Sequence, residues 1–192
     1  MPTKWMKRFK ESGQLTIYNK AGAWSSSVDA AINTFNNLGF GVKLVKHNDE
    51  YNANIVVKLS MGSENYNHAG DTIAVNFPAE KLHGRAVTVA HPRLKELYFA
   101  AVFLPGKVKN VTARQKEVMV VHELIHASGL DGGIEGGGKN PDMDHDDVGI
   151  MTGLMKVEGD GLIEYLPERG ATPMTPIRVG TKTIGKMKAI WG

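Results

Sequence analysis

The sequence predicts an α/β protein of the α+β kind, in which a mixed, twisted sheet packs against helices. Several short segments are rich in β-branched residues and are separated by Asn, Gly, Asp or Pro, which is typical of strands and their turns. Two longer segments repeat apolar residues at helical spacing. One helix set among strands, followed by a second helix, favours a layered mixed architecture.

The strands are predicted from the alternation of apolar and polar side chains and from the turn residues at their ends. The first covers residues 14–18, where apolar and polar side chains alternate. The apolar run at 96–104 could form a strand or a helical turn; a strand is favoured because Pro105 and Gly106 close it. Further strands are expected at 41–46, 53–59, 72–77 and 85–90.

Two helices are expected besides the one that contains residues 118–130. The serines at 25–27 are candidate caps for a helix whose apolar residues recur at helical spacing until Gly39. Near the other end, Pro176 is expected in the first turn of a closing helix that reaches Trp191, although Gly180 and Gly185 weaken that prediction. The three tryptophans are expected to pack in or against the core.

Length and composition indicate a single domain over residues 1–192, with enough apolar content for a core. A hydrophobic share of 42% with 22% charged residues argues against a disordered chain. The net charge of +3 is dispersed except near the two ends, so a nucleic-acid partner is not expected, and a monomer is favoured. The absence of cysteine excludes disulfides, thiolate zinc sites and a cysteine nucleophile.

Neither a leader nor a membrane span is predicted. The first fourteen residues are polar and basic, without the apolar core of a signal peptide, and no run of eighteen apolar residues occurs. We therefore expect cytoplasmic synthesis, without a membrane partner. Action inside the cell, in a phage or virion, or after leaderless export would all fit this pattern.

The most informative stretch is 118–130, VMVVHELIHASGL, which is apolar apart from a few polar residues. Thr112 and Gln115 before it form a capping-box pattern, and Gly129 can take the left-handed conformation that ends a helix. The sequence therefore predicts a buried helix that carries His122, Glu123 and His126. Burying such groups is costly unless something compensates, and a metal ion would do so.

The spacing of these three residues is the His-Glu-x-x-His pattern of zinc sites. Residues four apart lie on one face of a helix, so His122 and His126 can bind one ion while Glu123 projects beside it. Catalytic zinc usually has three protein ligands and an open position for water, so a third ligand is required. The alternative interpretation is two histidines that are simply packed or capped within a helix.

These residues resemble the metzincin clan of zinc metallopeptidases, and within it the matrixin-like members. The match consists of His122, Glu123, His126 and Gly129, followed by 149–151, Gly-Ile-Met, which is similar to the methionine turn beneath the metal. The resemblance implies that Met151 packs under the site. It also implies an upper subdomain over about 1–130 and a loop-rich lower subdomain over about 131–192 that ends in a helix.

The third ligand is where the chain departs from the family pattern. The family places a histidine three residues after the glycine, and this chain has Gly132 there. We favour His145, because removing residues 132–144 would restore the family's order, and a long insertion adds little loop-closure entropy. Asp131 is the runner-up ligand.

The resemblance implies a zinc-dependent endopeptidase acting on a protein or peptide substrate. One zinc ion would activate a water, with Glu123 as the general base. In the family an extended substrate lies along an edge strand, for which 85–90 and 72–77 are both candidates. The alternative is a non-catalytic binding or structural module that keeps a metalloprotease-like fold and a zinc site.

Two further groups of residues are candidate metal sites. The acidic residues of the loop could bind Ca²⁺, but their spacing lacks the full calcium-loop pattern, so a solvated acidic loop is favoured. Three histidines before the motif invite comparison with the structural zinc of matrixins, yet their spacing does not match, and surface histidines are expected. These residues are Asp142, Asp144, Asp146 and Asp147, and His68, His83 and His91.

Overall fold

The computed structural model describes residues 4–130, 156–157, 163–164, 177, 179 and 181–192. The helices are α1 (Lys7–Ser12), α2 (Ser25–Asn37), α3 (Ala113–Ala127) and α4 (Thr181–Trp191). The strands are β1 (Gln14–Lys20), β2 (Lys43–Lys46), β3 (Ile55–Ser60), β4 (Glu64–His68), β5 (Asp71–Val75), β6 (Arg85–Ala90), β7 (Leu97–Pro105), β8 (Lys156–Val157) and β9 (Ile163–Glu164).

The main sheet is mixed, and the predicted fold class is confirmed. Its strand order is β2-β1-β3-β7-β6, with parallel pairing as far as β7 and antiparallel pairing of β6 with β7. Within the described part of the chain, β6 is therefore an edge strand. Parallel strands need long crossovers, and α2 provides the one between β1 and β2.

The apolar run at 96–104 forms β7, a strand that is buried on both faces, as predicted. Successive side chains of a strand point to opposite faces, so Val102 joins the core under the helices, while Phe103 joins a second core on the other face. Burial of both faces explains why this segment is continuously apolar rather than alternating.

The second face of the sheet is covered by the β4–β5 hairpin, of which the sequence predicted only the second strand. Tyr66 and His68 of β4 point into the second core. The expectation of a surface histidine is wrong for His68, whose side chain is 5% exposed and whose ring stacks on Phe99 with centroids 3.7 Å apart. Burial disfavours the charged imidazole and lowers the pKa of His68.

Helices α2 and α4 begin at different residues from those predicted. The serines at 25–27 do not cap α2, because they form its first turn. The residue at the cap position is Trp24, and no side chain makes a capping hydrogen bond at the start of α2. The closing helix α4 begins at Thr181 rather than near Pro176, and it accommodates Gly185. The apolar faces predicted for both helices are confirmed, since Phe35 and Met187 are buried.

The N-terminal segment is attached to the main sheet at the start of β7. Trp5 is fully buried and pairs with Leu97 at the start of β7. The Met6 amide donates to the Leu97 carbonyl at 2.9 Å, and the Leu97 amide donates to the Lys4 carbonyl at 2.8 Å. Trp24 and Trp191 are also buried, so all three tryptophans belong to the core.

Among the described helices, none has the length and apolar content needed to cross a membrane.

Candidate metal centre

Helix α3 begins at the predicted capping box. The Gln115 amide donates to Thr112 Oγ1 at 3.2 Å, and the Thr112 amide donates to Gln115 Oε1 at 2.8 Å. These reciprocal bonds satisfy two amides that have no partner within the helix. Gly129, just beyond the helix, has a φ of 109°, as its predicted role requires. The sequence therefore fixes both ends of this helix locally.

A partly buried polar cluster holds α3 against α2. Thr34 Oγ1 of α2 donates to Glu117 Oε1 at 2.7 Å, and Arg114 of α3 donates to Glu117 Oε2 at 3.3 Å. Charge-assisted hydrogen bonds are directional, so this cluster opposes rotation of α3 about its axis. At the other end, Trp191 Nε1 donates to the Ser128 carbonyl at 3.0 Å, which attaches α4 to the end of α3.

The two histidines of α3 lie side by side, as their spacing predicts. Their ring centroids are 4.9 Å apart, with the ring planes at 80° to each other, and both residues are half-buried. His126 Nδ1 lies 2.8 Å from the Leu130 carbonyl oxygen, which can only accept, so Nδ1–H is the donor. In the neutral ring Nε2 then carries the lone pair with which an imidazole binds a metal, and the hydrogen bond fixes the orientation of the ring.

The Glu123 carboxyl group is buried beside this pair, with only 5% of the residue exposed. Desolvation raises its pKa to about 8, against the smaller opposing effects of a hydrogen bond from the Ala86 amide and of the Arg85 charge. A bound cation would lower this pKa, because an opposite charge favours the carboxylate. A carboxyl group that titrates near neutral pH is suited to proton transfer.

Gly84, immediately before β6, completes the surroundings of Glu123 and was missed by sequence reasoning. A Cβ atom built on Gly84 would lie 2.5 Å from Glu123 Cγ and 2.8 Å from Glu123 Oε1. A side chain at position 84 and the observed Glu123 conformation therefore exclude each other. No local signal could have shown this, since a glycine before a strand reads as an ordinary turn residue.

The donor set of α3 fits a zinc ion as far as the described residues reach. Two imidazoles on one face, one of them oriented by a carbonyl, are suitable first ligands. Within residues 4–130 and the described C-terminal positions, no cluster of three His, Cys, Asp or Glu side chains is present. The candidate third ligands His145 and Asp131, the predicted methionine turn at Met151 and the acidic cluster all lie outside the described residues.

The fold and this helix define a mixed α/β protein with a candidate zinc-binding helix. No protein-family model and no curated protein sequence matches the chain.

Solved structures show a distant likeness. One structure of myroilysin has a TM-score of 0.46 at 10% identity and covers 98% of this chain and 95% of that chain. A crystal structure of myroilysin has a TM-score of 0.44 at 10% identity, with 98% and 86% covered. High choriolytic enzyme 1, a hatching-enzyme zinc-protease from the medaka Oryzias latipes, has a TM-score of 0.42 at 14% identity, with 98% and 94% covered.

A zinc-protease is among the solved structures to which the chain is similar.

Proposed function

We propose that the protein is a zinc-dependent endopeptidase. His122 and His126 would be the ligands from α3, His145 the third ligand with Asp131 as runner-up, and Met151 would pack beneath the metal. The supporting observation is the buried Glu123 carboxyl group beside the paired histidines. Burying a carboxyl group destabilises a fold, so a buried carboxyl group beside two candidate metal ligands favours a functional role for it.

Each residue has a defined task in the proposed reaction. Zinc would supply Lewis-acid polarisation of the scissile carbonyl and would acidify the attacking water. Glu123 accepts the water proton at a carboxylate oxygen and then transfers a proton to the leaving amine. The Leu130 carbonyl holds the His126 ring by accepting its Nδ1 proton, so that Nε2 would be the nitrogen that binds the metal.

The edge strand β6 is the better supported of the two candidate substrate strands. It borders the main sheet, and the amide of Ala86 reaches Glu123. The other candidate, β5, belongs to a separate two-stranded sheet with β4. An extended peptide that pairs with β6 would use main-chain hydrogen bonds for affinity and would run close to Glu123.

The function is tested by zinc content and peptide hydrolysis of the purified protein. We expect about one zinc per chain and cleavage of internal bonds in an unfolded protein, which a chelator abolishes and added zinc restores. Bound zinc without hydrolysis, at a site closed by four protein ligands, would instead support the binding-module alternative. A protein that takes up no zinc would contradict both.

The third ligand is tested by two matched alanine substitutions. His145→Ala is expected to lower zinc occupancy and hydrolysis together, because two histidines hold zinc less tightly than three ligands. Asp131→Ala should leave both close to those of the unmodified protein. Zinc content measured after dialysis distinguishes them, and loss of zinc only from Asp131→Ala would transfer the role to Asp131.

A further inference from the structure

We propose that Gly84 is a positioning residue for Glu123: the missing side chain at position 84 admits the Glu123 carboxyl group to the start of β6. This inference rests on the proposed function for its catalytic consequence. Its structural part concerns only the contact between α3 and β6. Position 84 lies outside the motif that contains Glu123.

The overlap at position 84 concerns the Glu123 side chain alone. The three nearest atoms to a Cβ built on Gly84 are Glu123 Cγ, Oε1 and Cδ, at 2.5, 2.8 and 2.9 Å. Distances this short are well inside van der Waals contact, so one partner must shift. Gly84 is not among the described glycines with positive φ, so its φ does not itself disfavour alanine. The overlap with the Glu123 side chain is what opposes an alanine at position 84.

The backbone around Gly84 is held in place and cannot retreat freely from an added methyl group. Arg85 pairs with Phe103 and Ala86 with Val102 in the antiparallel ladder of β6 and β7. The Arg85 guanidinium also donates to the Asn76 carbonyl at 3.1 Å. These contacts fix the start of β6 from two directions. A methyl group at position 84 therefore displaces the Glu123 side chain in preference to the strand.

Helix α3 cannot move away easily either. Its capping box and its contact with α2 through Glu117 fix its start, and Leu124 and Val120 are fully buried. The Glu123 side chain can avoid an added methyl group by rotating about its own torsions. This rotation would move its carboxyl group away from the Ala86 amide. The consequence is a general base that is present but misplaced, which costs rate rather than metal affinity.

The Ala86 amide reports directly on the position of Glu123, independently of catalysis. In the metal-free protein we expect this amide to be protected from hydrogen exchange and shifted downfield by its bond to the carboxyl group. Gly84→Ala should remove both signatures to the level seen in Glu123→Ala, and the double variant should show no further change. Gly185→Ala is the matched control, since a Cβ there meets nothing within 4 Å.

The kinetic part compares the same variants loaded with zinc. Gly84→Ala is expected to keep its zinc and its KM while kcat falls about 10-fold or more, a part of the 100- to 10,000-fold that a general base contributes. Gly185→Ala should match the unmodified protein. If Gly84→Ala does not fold, folding of Gly84→Ala/Glu123→Ala would itself demonstrate the overlap; failure of both to fold would overturn the proposal.

Two other results would overturn the inference. A normal Ala86 amide in Gly84→Ala would mean that Glu123 tolerates the methyl group. Loss of the Ala86 signatures with unchanged kcat would mean that the position of Glu123 does not matter to the reaction. If the unmodified protein hydrolyses nothing, the proposed function fails, while the amide measurement still decides whether Gly84 positions Glu123.

Discussion

Replacement of Glu123 by glutamine is expected to lower peptide hydrolysis by about 100- to 10,000-fold while zinc binding is kept. An amide has nearly the same size as the carboxyl group and can still accept the Ala86 amide hydrogen bond, but it cannot take up a proton from water. The buried position of Glu123 gives solvent little opportunity to substitute for it. Steady-state kinetics with zinc-loaded protein measure the effect.

The control for this substitution is Glu11→Gln, which changes an exposed carboxylate that pairs with Lys7 on α1. It should hydrolyse substrate at the rate of the unmodified protein. Undiminished turnover of Glu123→Gln would refute the proposed mechanism. Loss of zinc together with activity would show instead that the glutamate supports the metal site, so zinc content must be measured on the same samples.

Substitution of His126 by alanine is expected to abolish the stabilisation that zinc confers. A ligand that binds only the folded state raises the free energy of unfolding, by about 4 kcal/mol at a thousandfold excess over its Kd. His126→Ala removes one of the two α3 ligands and leaves the Leu130 carbonyl without its Nδ1 donor. Thermal unfolding with and without zinc measures the shift.

His47→Ala serves as the histidine control, because His47 lies just after β2, at the opposite edge of the sheet from β6, and its Nδ1 accepts from the Asp49 amide at 3.1 Å. Its zinc-dependent shift should equal that of the unmodified protein. An undiminished shift in His126→Ala would mean that zinc binds elsewhere. The Glu123→Gln protein should keep the shift, which separates metal binding from proton transfer.

Features that depend on neighbouring residues were predictable from the sequence. The capping box at Thr112 and Gln115 and the positive φ of Gly129 involve contacts within a few residues, so local chemistry determines where α3 begins and ends. The juxtaposition of His122 and His126 follows from the helical repeat alone. The identity of the third ligand does not follow from contacts between neighbouring residues, and His145 stays a prediction.

The β4–β5 hairpin shows how a local signal can be missing. The segment 64–68 is polar, and the turn after it is Ala69-Gly70, in which both residues have positive φ, 48° and 91°. Such turns usually have Asn, Asp or Gly at the first position, and an alanine there does not predict a turn. His68 is buried because the hairpin packs on β7, a contact between segments distant in the sequence.

The sequence by itself determined the class of fold, the boundaries of α3 and the arrangement of two histidines and a glutamate on it, because these depend on periodicity and on hydrogen bonds between near neighbours. Only the tertiary structure decided that Glu123 is buried against Gly84 and the Ala86 amide, and that β6 borders the sheet. Position 84 lies 39 residues before Glu123, and what fills the space beside a glycine depends on which distant segment folds against it.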